Sequence, residues 1–266
     1  MNILSLAHRF FHLEKLLQSS LIALLLLPAL PSFAAEKVFV KTVEVNSDVR
    51  FSIDSHRGQV VITTGNVDTV SITAVIRHDD AEVIDDVEIE VRCSPQRVSV
   101  GIDFDQNIFS FTSLFNLNSF EYPDIRFEIV LPEQASLTID SHRSILDIQA
   151  PRGRINISSH RGEGFISNIR NDINLDTHRG DFELVIEDLH DVQIDSHRGN
   201  IQLNIASAIN FSIDANTHRG DFTVQGLDVP IRKDERSRYI DFTQGSGINR
   251  IEIDTHRGSI DFNFHD

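Results

Sequence analysis

The chain has 266 residues, a formal net charge of −16 at pH 7, one cysteine, no tryptophan and two tyrosines. Such a charge repels nucleic acid and anionic membrane surfaces, and a lone cysteine forbids an internal disulfide. The shortage of Trp and Tyr argues against an outer-membrane barrel, which wants aromatic girdles at both interfaces.

Leu21 to Leu30 form an apolar run preceded by Arg9 and Lys15 and followed by Pro31-Ser32-Phe33-Ala34-Ala35. The run is too short to span a bilayer and ends in small residues, so 1–34 reads as a secretory signal peptide and 35–266 as a single exported domain without a transmembrane helix. Residues 36–77 read as a leading strand and a first coil, with Val70, Ile72, Ala74 and Ile76 in alternation. An excursion at about 78–130 follows, and within it Asp86 to Ile102 reads as an antiparallel hairpin turning at Ser94-Pro95-Gln96. Cys93, on its first arm, is expected to be a buried core thiol. Between Asp105 and Glu121 there is no charge, yet the stretch holds Phe109, Phe111, Phe115 and Phe120. It is expected to fold over the open end of the fold or, alternatively, to form an exposed contact patch for a partner or lipid.

From there a pattern takes over. Ser/Thr-His-Arg-Gly, usually preceded by Asp, stands at His56-Arg57, His160-Arg161, His178-Arg179, His197-Arg198, His218-Arg219 and His256-Arg257; a further copy, His142-Arg143, ends in Ser144. The steps from His142 to His218 are 18, 18, 19 and 21 residues, and the last step is 38, twice 19. Residues five and three before each His are apolar, as in Ile155 and Ile157 or Val192 and Ile194, and alternation resumes after each Gly, as in Phe182 and Leu184. Two short strands and two corners consume the whole period, which predicts an all-β fold, a parallel β-solenoid with 18 to 19 residue coils stacked about 4.8 Å apart. The strand periodicities and the 18 to 19 residue step predict a continuous parallel sheet running through His142 to His218, with Ser144 and the early Asp214 as corner irregularities. A second excursion at 229–247 carries Arg232, Lys233, Arg236 and Arg238 and reads as a solvated loop.

Strand parity places the polar residues. Ser or Thr before each His points inward, while His and the Asp two before it point outward. The surface should therefore carry a row of Asp54, Asp140, Asp176, Asp195 and Asp254 beside a row of imidazoles, edged by the arginines.

Two stretches carry a family resemblance: Tyr122-Pro123-Asp124-Ile125-Arg126-Phe127-Glu128-Ile129-Val130-Leu131-Pro132 leading to Leu137-Thr138-Ile139-Asp140, and Gln244-Gly245-Ser246-Gly247 leading to Thr255-His256-Arg257-Gly258-Ser259-Ile260. With the repeat between them, residues 40–264 resemble the bacterial putative-adhesin family, exported β-strand-repeat proteins. That resemblance implies an adhesin-like role, although His-Arg at every corner departs from the family's small polar corners.

The string Asp-Ser-His tempts a hydrolase reading, but Ser and His point to opposite faces and cannot meet within one coil. The chain is therefore expected to be non-enzymatic, without a cofactor. The expected interaction ladder is His56, Arg57, Arg143, Arg161, Arg179, Arg198, Arg219, His256 and Arg257, facing an envelope protein or glycan at the periplasm or cell surface of a Gram-negative-type bacterium. End-to-end or edge self-association is a further possibility, and the arginine edge also suits an anionic glycan or lipopolysaccharide phosphate. The alternative is a periplasmic site for zinc, copper or nickel built from His142, His160, His178, His197, His218, Asp140, Asp176 and Asp195. Close Asp–His pairing is expected to raise the imidazole pKa values.

Overall fold

The structure, a computed structural model, describes residues 35–104, 122–206 and 210–265. The leader and Phe109, Phe111, Phe115 and Phe120 lie outside the described residues. The chain begins with β1 (Ala35–Glu44), β2 (Arg50–Gly65) and β3 (Thr69–His78), then a short helix α1 (Ala81–Asp85) and the strands β4 (Val87–Ser94) and β5 (Arg97–Phe104). Next come β6 (Asp124–Pro132), β7 (Ser136–Gln149), β8 (Ile155–Arg161), β9 (Gly164–Ile169), β10 (Ile173–Thr177) and β11 (Phe182–Ile186). The series ends with β12 (Val192–Arg198), β13 (Ile201–Ala206), β14 (Phe211–Thr217), β15 (Phe222–Gln225), β16 (Arg232–Asp234), β17 (Ser237–Gln244), β18 (Asn249–Arg257) and β19 (Ile260–His265).

These strands form two sheet faces that meet at the His-Arg corner. The face before the corner runs β4, β5, the first half of β2, the first half of β7, β8, β10, β12, β18, β14, β17, β16. The face after it runs β1, β3, β6, the second halves of β2 and β7, β9, β11, β13, β19, β15. Pairing through the middle is parallel and in register, which is the β-solenoid expected from the repeat. Antiparallel strands close both faces at the N-terminal end and the face before the corner at the other. In β2 and β7 the strand passes through the corner without a break.

Alternation builds the core. Ile157, Leu175, Ile194 and Ile253 from one face meet Ile166, Leu184, Leu203 and Phe262 from the other, all buried. Packing is matched in size as well as polarity: Gly164 leaves the space that the Phe182 ring fills. Ser55, Ser141, Ser159, Thr177, Ser196, Thr255 and Thr217 form the inward hydroxyl column, each buried.

The order of the coils differs from the sequence order. β18 pairs with β12 on one side and β14 on the other, and β19 lies likewise between β13 and β15. The coil of His256 therefore sits between those of His197 and His218, and the expected continuity from His197 to His218 is not found. The last coil thereby gains a paired neighbour on each side, and the end of the stack passes to β14 and β15. The segment expected as a solvated loop makes this possible. It folds into the β16–β17 hairpin, whose second strand pairs antiparallel with β14 and closes that face.

Three further expectations are corrected. The excursion at 78–130 is only partly an excursion, because β5 continues one face and β6 the other. Ser144 and Asp214 are not irregularities: Ser144 pairs in register with Gly58 and its hydroxyl meets that of Ser55 at 3.0 Å, while Asp214 pairs with Glu252. Cys93 is exposed. It keeps the inward parity of Val87, but burial fades along β4 toward the hairpin tip. The free edge of β4 is covered by Lys37, which donates to the carbonyls of Val87, Asp85 and Ile84, and by Lys41, which donates to that of Val91.

Leu184→Asp places an unpaired charge in the stack and should cost at least ~3 kcal/mol, whereas Asp176→Asn on the exposed face should change stability by no more than about 0.5 kcal/mol. Urea denaturation of both variants checks this, and equal midpoints would show the faces to be assigned wrongly.

Candidate functional site

The ladder is set by the corner backbone. His178 N donates to Ser159 O at 2.9 Å, Arg179 N to His160 O at 3.1 Å and Arg198 N to His178 O at 3.1 Å. Gly162 N, Gly180 N and Gly199 N donate to the carbonyls of Arg179, Arg198 and Arg257, each at 3.0 Å. Consecutive corners approach so closely that a Cβ added at Gly180 would run into the Gly162 carbonyl, and one at Gly199 into that of Gly180. Both glycines also hold positive φ, 144° and 138°, which L side chains resist.

With the corners locked, the imidazoles stack. Ring centroids are 4.8 Å apart from His142 to His160, 5.1 Å to His178, 4.8 Å to His197, 5.1 Å to His256 and 5.3 Å to His218, with interplanar angles of 21°, 9°, 2°, 6° and 11°. His56 continues the row at 4.9 Å from His142 but tilts by 57°. Both ends are capped by residues that sequence reasoning did not single out. Tyr122 sets its ring edge-on to His56 at 3.7 Å, and Ser237 Oγ lies 3.1 Å from His218 Nδ1. Each cap lies outside the repeat, Tyr122 just before β6 and Ser237 at the start of β17, so the motif spacing carried no signal for it.

The Asp and Arg rows flank the stack as parity required. Asp54, Asp140, Asp176, Asp195 and Asp254 are exposed, with Asn216 holding the equivalent place beside His218. Among the described residues, no ion pair joins Arg143, Arg161, Arg179, Arg198, Arg219 or Arg257 to a carboxylate. Arg198 Nε is buried without a partner. The basic hairpin is tied down instead: Arg238 pairs with Asp221 at 2.8 Å and donates to Gly220 O at 2.6 Å, and Arg232 lies 5.9 Å over the Tyr239 ring.

The stack sets the electrostatics. Loss of solvent against neighbouring rings, then the like charge of adjacent imidazoles and arginines, holds His142, His178 and His256 below the ordinary imidazole value of 6.5. His56 is also lowered by loss of solvent, against the raising effects of a backbone hydrogen bond and of Asp54. Asp54 and Asp195 are pushed up by loss of solvent and then by carboxylates on the neighbouring rungs. The expected upward shift of the imidazoles is thus overturned at these four positions. Loss of solvent in the stack is the largest effect at all four, and a carboxylate acts to raise the value only at His56, where Asp54 does not offset it.

The proposed metal ligands are evenly spread along the axis. Among the described residues, no three or more His, Cys, Asp or Glu gather to hold one ion. The inward hydroxyls are separated from the rings by the corner backbone, so no Ser–His pair forms within a coil.

Corner, core and register together define a parallel β-solenoid whose repeated corner bears one polar stripe. Residues 123–263, just over half the chain, match the Toastrack DUF4097 family, and the chain belongs to it. That agrees with the adhesin-family resemblance read from Tyr122–Pro132 and Gln244–Ile260. The crystal structure of a putative cell adhesion protein from Clostridium sporogenes is similar in fold, with a TM-score of 0.51 at 16% identity, covering 87% of this chain and all of that one (100%). A putative adhesin from Bacteroides fragilis aligns over 85% of this chain and 97% of its own at 9% identity, with a TM-score of 0.30. A putative lipid binding protein from Parabacteroides distasonis aligns over 86% and 97% at 10% identity, with a TM-score of 0.27. No curated protein matches the chain. Among the described residues no helix is long and apolar enough to cross a membrane.

A folded pKa below the unfolded value means that the unfolded chain binds more protons, so stability falls as pH drops through the unfolded imidazole value of about 6.5. The melting temperature should therefore decrease from pH 7.5 to pH 5.5, and His178→Gln should reduce the decrease. The raised Asp54 and Asp195 act in the opposite direction, starting at lower pH. A melting temperature that is flat or rises over that interval would contradict the depressed imidazoles.

Proposed function

We propose that the protein is an exported, non-enzymatic component of the cell envelope, a rigid adhesin-like scaffold whose Asp/His/Arg ladder contacts an envelope protein or glycan. The observation that carries this reading is the regular row of Arg143, Arg161, Arg179, Arg198, Arg219 and Arg257, which have no carboxylate partner among the described residues and are spaced by the main-chain hydrogen bonds that join consecutive corners. Guanidinium forks suit carboxylate, sulfate or phosphate groups, and a row of them suits a partner that repeats such groups along its length. The leader supports export. The separation of the buried hydroxyls from the imidazoles supports a binding role over hydrolysis. The cell-adhesion description of the Clostridium relative points the same way by analogy of fold.

A repeated surface has interchangeable rungs. Two triple variants, Arg143→Gln with Arg161→Gln and Arg179→Gln, and Arg179→Gln with Arg198→Gln and Arg257→Gln, should each weaken binding to isolated envelope material by at least ~tenfold. The two losses should be similar. Wild-type binding by both variants would refute the arginine row as the contact. Elemental analysis of the purified chain separates the metal alternative: stoichiometric zinc, copper or nickel, lost in His178→Gln, would replace the scaffold reading.

A further inference from the structure

The face before the corner carries a second polar concavity, well along the strands from the His row and independent of the ladder reading. A cleft of about 740 Å³ at its N-terminal end is lined by Arg50, Arg92, Arg97 and Arg154, with no carboxylate in its lining. Four arginines in one cleft stand out in a chain of net charge −16.

Register explains how they meet. Arg50 opens β2 and Arg97 opens β5, and the two are paired in a parallel ladder. Phe51 and Val98, the next residue in each strand, are buried, so both arginines project outward from adjacent positions. Like charges placed opposite one another destabilise a sheet. Arg92 is matched by Glu90 at 2.9 Å and Arg154 by Asp172 at 2.7 Å. Among the described residues, Arg50 and Arg97 have no carboxylate within ion-pairing distance. The next outward row, Ser99, Ser52 and Thr138, is aligned by the same ladders and supplies neutral hydroxyls beside the two guanidinium groups.

We propose that Arg50 and Arg97 bind a phosphate group, free or as the monoester of a small polar molecule, with Ser52, Ser99 and Thr138 bonding to its remaining oxygens or to the attached hydroxyls. Two adjacent forks fit a dianion with several acceptor oxygens better than a single carboxylate. The volume suits a small ligand, and the hydroxyl lining suits a sugar-like body.

The test is melting and calorimetric titration of the chain from Ala35 onward with inorganic phosphate and with glucose 6-phosphate, at ionic strength matched by sodium chloride. Both probes should raise the melting temperature beyond the chloride control. A larger effect of glucose 6-phosphate assigns the site to an ester, and an equal one to the free anion. Arg97→Gln should abolish the shift and weaken binding by at least ~tenfold. The same variant should melt no lower than wild type without phosphate, because a like-charge contact is gone. Arg170→Gln, on another part of the surface, should keep the full shift. Phosphate that acts no more strongly than chloride, or a full shift retained in Arg97→Gln, would overturn the site.

Discussion

Everything distinctive about this molecule depends on how closely one corner lies on the next. Main-chain hydrogen bonds from Gly162, Arg179, Gly180, Arg198 and Gly199 to the neighbouring coil fix the rungs in register, and the absence of a Cβ at Gly180 and Gly199 lets adjacent backbones touch. A solenoid with bulkier corners would splay, and its outward side chains would lose their common spacing. The imidazole stack is thus a consequence of backbone packing. Ring stacking adds to an arrangement that the corner has already imposed.

In-register repetition has an electrostatic cost, because every rung places a charge beside its own copy. The protein meets that cost differently in each row. The carboxylates stay on the outer face, yet Asp54 and Asp195 are pushed toward protonation by loss of solvent and then by the carboxylates of neighbouring rungs. His56, His142, His178 and His256 are held toward the neutral form, the one that stacks. Among the described residues, Arg143, Arg161, Arg179, Arg198, Arg219 and Arg257 are given no carboxylate partner at the corner. Inside, Ser141, Ser159, Thr177, Ser196 and Thr255 have hydroxyls without a hydrogen-bond partner, whereas Ser55 and Thr217, toward the two ends of the column, find one. A column of small hydroxyls is what the tight corner tolerates, and repetition carries it through every coil.

The strands, the inward column, the outward rows and the solenoid were legible because all follow from parity and a period near 19, which are local properties. The order of the coils was not. A step of 38 residues says that a coil's worth of chain intervenes, but not that the chain returns to fill a slot between β12 and β14; that choice rests on closing edges, which no single repeat records. The hairpin β16–β17 was misread for a related reason, since β16 has only three residues and β17 takes its place in the sheet from β14. Cys93 has the parity of a core residue and lies beyond the core's end. Arg50 and Arg97 lie in different strands far apart in sequence, and only the β2–β5 ladder brings them together. The imidazole shifts turned on how much solvent each ring loses against its neighbours, which depends on the stacking of rungs and is not recorded in any one repeat.

The inserted coil is the feature on which the continuity of the ladder depends, and cysteine pairs test it most directly. In a Cys93→Ser background, Asp195→Cys with Asp254→Cys joins positions paired in the β12–β18 register, about 4.8 Å apart and within the range a disulfide spans. Asp195→Cys with Asn216→Cys joins positions two rungs apart, about 10 Å, beyond that range. Mild oxidation should close the first pair and leave the second reduced. A disulfide between positions 195 and 216, with 195 and 254 left unjoined, would place the coils in sequence order and contradict the account.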